Sequence, residues 1–505
     1  MRNLVKQSWL SVASGLMYGL AWEPFGFWPL ALVGWAGWMW GLPIRDAGRD
    51  RTAVFLHSLL FVLTAWIVGF HWVMMHPVAV AAMTSGVALL AYATLFAALT
   101  SWGTTAFRPG STAVLPAAIL TTLTFELALQ YGPFAMPWLS IGWSTAPSSW
   151  SLSMGSWLGS QGTGLVLLAM AALIVLACLH WPSRRWKAGL TSGCALILLI
   201  VPAVLSTDIE SSASDGWHVR LLEPGLSPEE WSAVDDVARV DTFASLLSMD
   251  GHSDPDITIL PETALPLGPV DSLRSWIARL SGIAGSPVLS GGIESMRPES
   301  PERAFNVVIA SGDDDQSYAK RRLVPFAEHV PFSEWIPGFN RFAVPSGGVA
   351  GYEKGSVAAA IQVGGQSVVP LICFESLFDR DARAALLREG SVLVVTTQDG
   401  WWGSNIPRRQ HLAFSRMLAA STGHPLVHAT VDGVSGLVDA GGRLLPMRQN
   451  HARLYSGVLS IDTRDTLFMK VGNRPFFAIF AALAIFLGLQ VRNAKATSPT
   501  VRHHS

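Results

Sequence analysis

Charge is scarce in this sequence. Asp, Glu, Lys and Arg together make up 14% of 505 residues, against 50% hydrophobic residues, and the mean hydropathy is +0.37. A chain of that length and composition is too apolar for an ordinary soluble enzyme, so segments inside a bilayer are expected. The 35 basic and 36 acidic side chains nearly cancel, which leaves no overall field to attract nucleic acid. Cysteine is scarcer still, at 3 residues. No His/Cys cluster has metal-ligand spacing, so no metal and no cofactor are expected, and His411, His424 and His428 read as structural or surface histidines. There is no internal repeat, and no low-complexity tract apart from the polar tail 496–505.

Apolar runs near the roughly 20 residues needed to cross a hydrocarbon core are abundant. They fall near 8–24, 27–43, 53–75, 79–107, 112–131, 162–180, 188–206 and 474–491. No small-residue cleavage site follows the first run, so it is expected to remain as the first span. Arg2 and Lys6, then Arg45, Arg49 and Arg51, then Arg108, then Arg184, Arg185 and Lys187, and finally Arg492, Lys495 and Arg502 all fall on one side if the eight runs are all spans. The loop 71–78 has no Lys or Arg, and 131–161 has no charged residue at all. By the positive-inside rule the basic side is cytoplasmic, and the segment 207–471, after an odd number of spans, is extracytoplasmic. The expected organisation is a helical membrane domain at 1–206 with about seven spans, a catalytic domain at 207–471, a last helix at 472–491 and a cytoplasmic tail at 492–505.

Two features of the membrane part stand apart. Trp138, Trp143, Trp150 and Trp157 crowd the uncharged segment 131–161, which suits a lipid entrance or an aromatic anchor. Glu126 falls inside an expected span, where an ionisable group either serves function or satisfies a neighbouring helix end.

Composition shifts near Ser206 to polar residues such as Asp208, Glu210 and Asp215. Short β-branched runs then alternate with helix-like stretches. The runs 219–222, 257–260, 288–293, 306–310, 368–372, 392–397 and 426–431 read as strands, and 228–248, 270–284, 378–388 and 408–422 as helices. Such alternation implies a layered α/β or α+β domain with a largely buried sheet.

Cys178 and Cys194 lie in apolar runs, where they read as small packing residues; Cys373 lies alone in the extracytoplasmic part. An unpaired thiol is unusual there. Cys373 closes the apolar run 368–372 just before a helix-like turn, a setting that exposes a nucleophile above a sheet beside backbone N–H groups. Glu262 follows another strand, and Lys320 sits before the apolar Leu323-Val324-Pro325-Phe326. A carboxylate can take the thiol proton, and an ammonium can hold a developing oxyanion.

Together, Pro261-Glu262, Lys320 ahead of Leu323-Val324-Pro325-Phe326-Ala327-Glu328, and Cys373-Phe374-Glu375 resemble the Glu–Lys–Cys site of the nitrilase superfamily. The membrane architecture narrows the resemblance to the apolipoprotein N-acyltransferase family. Trp22-Glu23-Pro24-Phe25-Gly26-Phe27-Trp28-Pro29 and Met136-Pro137-Trp138-Leu139 are similar to that family's membrane-domain motifs. Gln398-Asp399-Gly400-Trp401-Trp402-Gly403, then Gln410-His411-Leu412 and Arg416, resembles its downstream block.

The resemblance implies a multi-span α-helical membrane domain carrying an α/β nitrilase-like αββα sandwich outside the membrane. It implies Glu262 as general base, Lys320 as oxyanion-stabilising cation and Cys373 as nucleophile. Glu328 in a mobile loop, Glu375, Trp231, Phe374 and Trp401 are its implied supporting or substrate-binding residues. Its partners would be a phospholipid acyl donor, a diacylated apolipoprotein acceptor and the bacterial inner membrane, with the catalytic domain periplasmic, both termini cytoplasmic, no nucleic acid and a monomeric state. The sequence departs from the family pattern at Glu223, where Gln is usual, at Phe374, where Tyr is common, and at Gly400-Trp401-Trp402, where Ala-Trp-Phe is commoner. These departures keep open a divergent paralogue acting as an amidase, or as an acyltransferase to another amine, for example one carried by a conjugation system.

Overall fold

A computed structural model describes residues 2–44, 50–76, 79–107, 111, 113–204, 216–249, 254–295, 304–312, 316–332, 335, 351–356, 360–451 and 453–496. Arg45, Arg49, Arg108, Asp208, Glu210, Asp215 and Arg502 lie outside the described residues, as do 112, 205–206 and 497–505.

Each of the eight apolar runs is helical. Seven form α1 (Arg2–Gly19), α2 (Pro29–Trp40), α3 (Arg51–Phe70), α4 (Ala79–Thr104), α5 (Val114–Gln130), α6 (Ser149–His180) and α7 (Arg185–Val204), and the eighth is the final helix of the chain. Arg51–Met75, Ala81–Thr104, Ser149–His180 and Arg474–Asn493 are long and apolar enough to cross a membrane, by length and composition. α2, with 12 residues, is shorter than a span requires.

α6 differs most from expectation. It starts at Ser149 rather than near 162, with the Ser148 side chain capping Ser151 N–H at 3.1 Å, and it bends at Gly159, whose φ is +68°. A Cβ at Gly159 would lie 2.4 Å from the Phe468 ring. Beyond the bend, the N–H and hydroxyl of Ser160 donate to Asp379 Oδ2 at 2.7 and 2.8 Å. The backbone freed by the bend is therefore satisfied from the catalytic domain.

The tryptophan-rich segment 131–161 is mostly internal. Trp143 and Trp150 are each 1% exposed, and Trp150 stacks on Trp28 at 5.1 Å. Phe374, Leu377, Phe378, Ala413, Phe414 and Met417 of the catalytic domain share one apolar core with the membrane helices. The segment fills that seam, which explains why it carries no charge. Glu126 accepts a 2.9 Å hydrogen bond from Ile141 N–H, so it satisfies the start of the turn Ile141–Thr145.

The catalytic domain runs β1 (Trp217–Leu222), α8 (Pro228–Ala233), α9 (Asp236–Ser248), β2 (Ile257–Ile259), β3 (Leu265–Gly268), α10 (Val270–Ala284), β4 (Val288–Ser295), β5 (Ala304–Ala310), β6 (Ser317–Ala319), β7 (Ile361–Val363) and β8 (Gln366–Ile372). It continues with α11 (Asp379–Glu389), β9 (Val392–Thr397), α12 (Asn405–Thr422), β10 (Leu426–Thr430), β11 (Gly436–Val438), β12 (Leu444–Leu445), β13 (Arg448–His451), β14 (Leu454–Leu459) and α13 (Leu467–Val471), which leads into α14 (Arg474–Ala496). The seven expected strands are present; β3, β6, β7 and β11 to β14 were not read from the sequence. The expected helix 228–248 is two helices, because Asp235 accepts from Val237 N–H and Ala238 N–H and so caps a new start at α9.

The strands form two sheets, in the orders β13-β14-β1-β2-β4-β5-β6, with β3 beside β4, and β12-β11-β10-β9-β8-β7. Val219, Leu221, Ile257 and Ile259 of the first face Val368, Val392, Val394 and Val427 of the second. Phe243, Leu273 and Ile277 of α9 and α10 cover the outer face of the first sheet. Ala382, Leu386, Leu418 and Ala419 of α11 and α12 cover that of the second. The result is an αββα sandwich whose central strands, such as β2 and β9, are buried on both faces and rich in Val, Ile and Leu. α12 lies between the second sheet and α6, and α11 meets the membrane domain at its start through Asp379 and Arg380.

Candidate active site

β1, β2 and β4 run parallel in one sheet and β8, β9 and β10 in the other. Ligand sites in such sheets form beyond the carboxyl ends of the strands. Glu262 follows β2, Lys320 follows β6 directly and Cys373 follows β8 directly. The structure brings these three together with Glu328. Lys320 Nζ donates to Glu328 Oε1 at 2.7 Å and lies 3.5 Å from Glu262 Oε1. Asn306 Nδ2 donates to Glu262 Oε1 at 2.8 Å, and Gln398 N–H donates to Glu262 Oε2 at 2.9 Å. Gly291 on β4 permits this approach, because a Cβ there would lie 2.6 Å from Glu262 Cα.

Lys320 is completely buried. Burial disfavours its charge, but Glu328, Glu262 and Cys373 outweigh that and raise its pKa. Burial raises the pKa of Glu262, with Lys320 acting in the opposite direction. The Cys373 thiol, partly exposed, is pushed well above its ordinary range by desolvation and the Glu262 carboxylate, with Lys320 opposing. The site thus holds a thiol rather than a thiolate at rest, beside a carboxylate whose proton affinity is increased. That pairing suits general-base activation of a nucleophile.

Backbone strain clusters here. Cys373 has φ +50°, Thr263 beside Glu262 has φ +53°, and Phe326 in the Glu328 segment has φ +64°. Left-handed backbone at non-glycine residues persists only where surroundings hold it. Glu375 supplies much of that support. Its Oε1 accepts from Tyr318 OH at 2.7 Å, Arg321 N–H at 2.7 Å and Arg322 N–H at 3.1 Å, and its Oε2 accepts from Ile372 N–H at 2.9 Å. One carboxylate therefore ties the segment bearing Lys320 to the strand end bearing Cys373. Desolvation raises its pKa despite those four donors.

Glu328 is buried, and its Oε2 accepts from Val324 N–H at 2.9 Å. Phe326 in the same segment stacks on Phe134 of the membrane domain at 6.0 Å, and Phe332 packs edge-on against Phe134 at 5.6 Å. Trp231 on α8 donates to Thr263 Oγ1 at 3.3 Å, next to Glu262, with Arg239 over its ring. Phe374 is buried against Phe378, in the core shared with the membrane helices. Trp401 is partly exposed in the turn Asp399–Trp402, while neighbouring Trp402 packs on Trp72 at 4.9 Å.

Several side chains in the site carried no sequence signal of their own. Asn306 and Tyr318 lie on strands, where only the pairing of β4, β5 and β6 aims them at Glu262 and Glu375. His411 and His428, read as structural or surface residues, are fully buried. With Asp399 they bring carboxylate and imidazole atoms within 4.8 Å of one another, and these atoms are joined by hydrogen bonds. Asp399 Oδ1 is 2.7 Å from His411 Nδ1, and Asp399 Oδ2 is 3.4 Å from His428 Nε2. His424 is partly buried beside Thr422 O.

Two family models match the chain. One, described as the apolipoprotein N-acyltransferase N-terminal domain, covers residues 14–173, and one described as carbon-nitrogen hydrolase covers 237–456. The apolipoprotein N-acyltransferase of Methylococcus capsulatus is 27% identical over 97% of this chain and 98% of its own. That of Nitrosomonas europaea is 29% identical over 79% of each chain. That of Pseudomonas paraeruginosa is 26% identical over 88% of this chain and 89% of its own.

Proposed function

Because the chain belongs to the apolipoprotein N-acyltransferase family, we propose that it moves a fatty acyl chain from a membrane phospholipid, through a thioester on Cys373, to the N-terminal amine of the diacylglyceryl-cysteine of an apolipoprotein. The observation that carries this reading is the assembly of buried Glu262 and Lys320 with the partly exposed Cys373, set on a domain docked against apolar helices long enough to span a bilayer.

In the first step Cys373 Sγ attacks the ester carbonyl and Glu262 takes the thiol proton. Lys320 Nζ, with backbone N–H groups after the nucleophile, holds the oxyanion. The C–O bond breaks, the lysophospholipid oxygen takes the proton from Glu262, and a thioester remains. In the second step the acceptor amine attacks the thioester and passes a proton to Glu262. The C–S bond then breaks, leaving an amide, and the Cys373 thiolate takes the proton back.

Both substrates are anchored in the outer leaflet, so a catalytic domain held to the membrane at both ends works at their surface and raises their effective concentration. The positive-inside rule supports a bacterial inner-membrane protein with that domain in the periplasm and the termini in the cytoplasm. Phe326, Phe332 and Phe134 offer an apolar bridge between the Glu328 segment and the membrane domain along which acyl chains can enter.

Intact-mass analysis of protein purified from membranes tests the first step. The expected result is a fatty-acyl adduct that is labile to hydroxylamine and lost in Cys373→Ala. Phospholipid and a diacylated lipopeptide should then yield an N-acylated product. Release of free fatty acid alone would identify a hydrolase instead.

A further inference from the structure

A second polar network lies behind the nucleophile, and its hydrogen bonds can be counted. Ser376 Oγ donates to the carbonyl oxygen of Cys373 at 2.8 Å and also lies 2.7 Å from His411 Nε2. A hydroxyl has one proton, and a carbonyl can only accept. With that proton directed at Cys373, the contact at His411 is made by Nε2–H. The other ring nitrogen, Nδ1, lies 2.7 Å from Asp399 Oδ1, which also accepts from Thr397 Oγ1 at 2.7 Å. A lone pair facing a carboxylate at that distance would repel it, so Nδ1 carries a proton as well.

The neighbouring groups agree with this count. His428 packs edge-on against His411 at 4.9 Å. Its Nδ1 lies 3.0 Å from the Ser415 hydroxyl and its Nε2 3.4 Å from Asp399 Oδ2, the pattern of a neutral ring donating through Nε2. Burial lowers the pKa of His428. Burial acts to raise that of Asp399, but His411 and His428 outweigh it and hold the carboxyl ionised. From the membrane domain, the Trp138 ring lies 5.5 Å from the His411 ring, contact that favours a cation. Trp138 Nε1 also donates to Gln410 Oε1 at 2.9 Å, and Gln410 Nε2 donates to the carbonyls of Glu23 and Gly69. The other titratable groups that sense the Asp399 charge are Glu223, Asp432 and Cys373.

We propose that His411 is a charged positioning residue: protonated on both ring nitrogens, it bridges Asp399 and Ser376 and thereby holds the left-handed turn that carries the Cys373 thiol. Two consequences follow for acylation, on the reading of Cys373 as the acyl-carrying nucleophile. The strained backbone at φ +50° is held through its own carbonyl. In addition, the imidazolium offsets the Asp399 charge, which would otherwise disfavour the thiolate-like transition state. Trp138 links this support to the membrane helices, so the nucleophile's mounting depends on domain docking.

The test uses the full-length protein in phospholipid nanodiscs. In histidine-selective 15N spectra at pH about 8, where an unperturbed histidine of pKa about 6.5 is neutral, the signals absent from His411→Gln should report two protonated nitrogens. In single-turnover acylation from phospholipid, His411→Gln and Ser376→Ala should each be slower by about 10- to 100-fold, the scale of a lost charge-assisted hydrogen bond, with KM for phospholipid unchanged. Asp399→Asn combined with His411→Gln should be no slower than His411→Gln alone, because the pair acts as a unit. A neutral His411 ring at pH about 8, a wild-type acylation rate in folded His411→Gln, or a stoichiometric metal ion in the purified protein would overturn the assignment. The spectra require no acyl transfer, and His411→Gln serves in them only to assign the signals. A wild-type protein that never acylates therefore refutes the proposed function while leaving the charge on His411 decided.

Discussion

Glu375 offers the sharpest test of how the site is held. Its Oε1 receives three donors and its Oε2 one, from Tyr318, Arg321, Arg322 and Ile372. Replacing it by Gln keeps the shape and one accepting oxygen. If that oxygen keeps the three donors, the new amide NH2 faces Ile372 N–H, leaving a buried donor unsatisfied at about 1–3 kcal/mol. For a domain of this size, about 2 kcal/mol corresponds to a fall in Tm of roughly 4–8 °C. Ala removes all four acceptor contacts, at about 4 kcal/mol if each counts about 1 kcal/mol. The kinetic effect should exceed the thermal one, because the donors flank Lys320 on one side and Cys373 on the other, and a misplacement of about 1 Å costs about 100-fold in rate. The assay is the single-turnover rate of the hydroxylamine-labile adduct, measured beside Tm in the same detergent. A Glu375→Gln protein with lowered Tm but an unchanged acylation rate would refute the view that this carboxylate sets the Lys320–Cys373 geometry.

Three further outcomes follow from the same contacts. Lys320→Met leaves the buried Glu262 and Glu328 carboxylates facing each other without a cation; stability should fall by about 3–5 kcal/mol and acylation by at least about 100-fold, as measured by denaturation and single turnover. Glu262 must be ionised to act as base, and burial raises its pKa; kcat/KM should therefore rise with pH along an acid limb above the ordinary glutamate value of about 4.3, and a limb at or below that value would contradict the role. Gly291→Ala removes no chemical group but drives a methyl to 2.5 Å from Pro261 O and 2.6 Å from Glu262 Cα; it should destabilise by about 1–3 kcal/mol and slow acylation, and a wild-type rate would show that the Glu262 backbone tolerates movement.

Much of this protein was legible before folding. The apolar runs became helices because an apolar stretch in a bilayer must satisfy its own backbone. The seven expected strands were visible because strands buried in the sandwich favour Val, Ile and Leu. Glu262 and Cys373 were recognisable as candidates because each follows such a strand, and Lys320 because it precedes the apolar Leu323-Val324-Pro325-Phe326. β14 escaped notice because its residues, Leu454-Tyr455-Ser456-Gly457-Val458-Leu459, are apolar only at the ends, and its strand character comes from antiparallel pairing with β1 more than two hundred residues earlier.

The tertiary structure alone decided what surrounds the triad. Asn306, Tyr318, Thr397 and His411 are polar residues whose sequence context gives no direction, since a side chain's partners depend on sheet register and on which helix covers it. The family resemblance implied a supporting place for Glu375, and folding makes it the common acceptor of two chain segments, 318–322 and the end of β8. The tryptophans of 131–161 suited a lipid boundary by composition, yet Trp143 is buried against Phe414 of α12 and Trp150 against Trp28, because an aromatic surface gains as much from leaving water against protein as against lipid. Sequence singled out Glu262, Lys320 and Cys373 as the candidate groups; the docking of sheets and membrane helices determined what surrounds them, because hydrogen-bond partners in a buried site are fixed only by contacts distant along the chain.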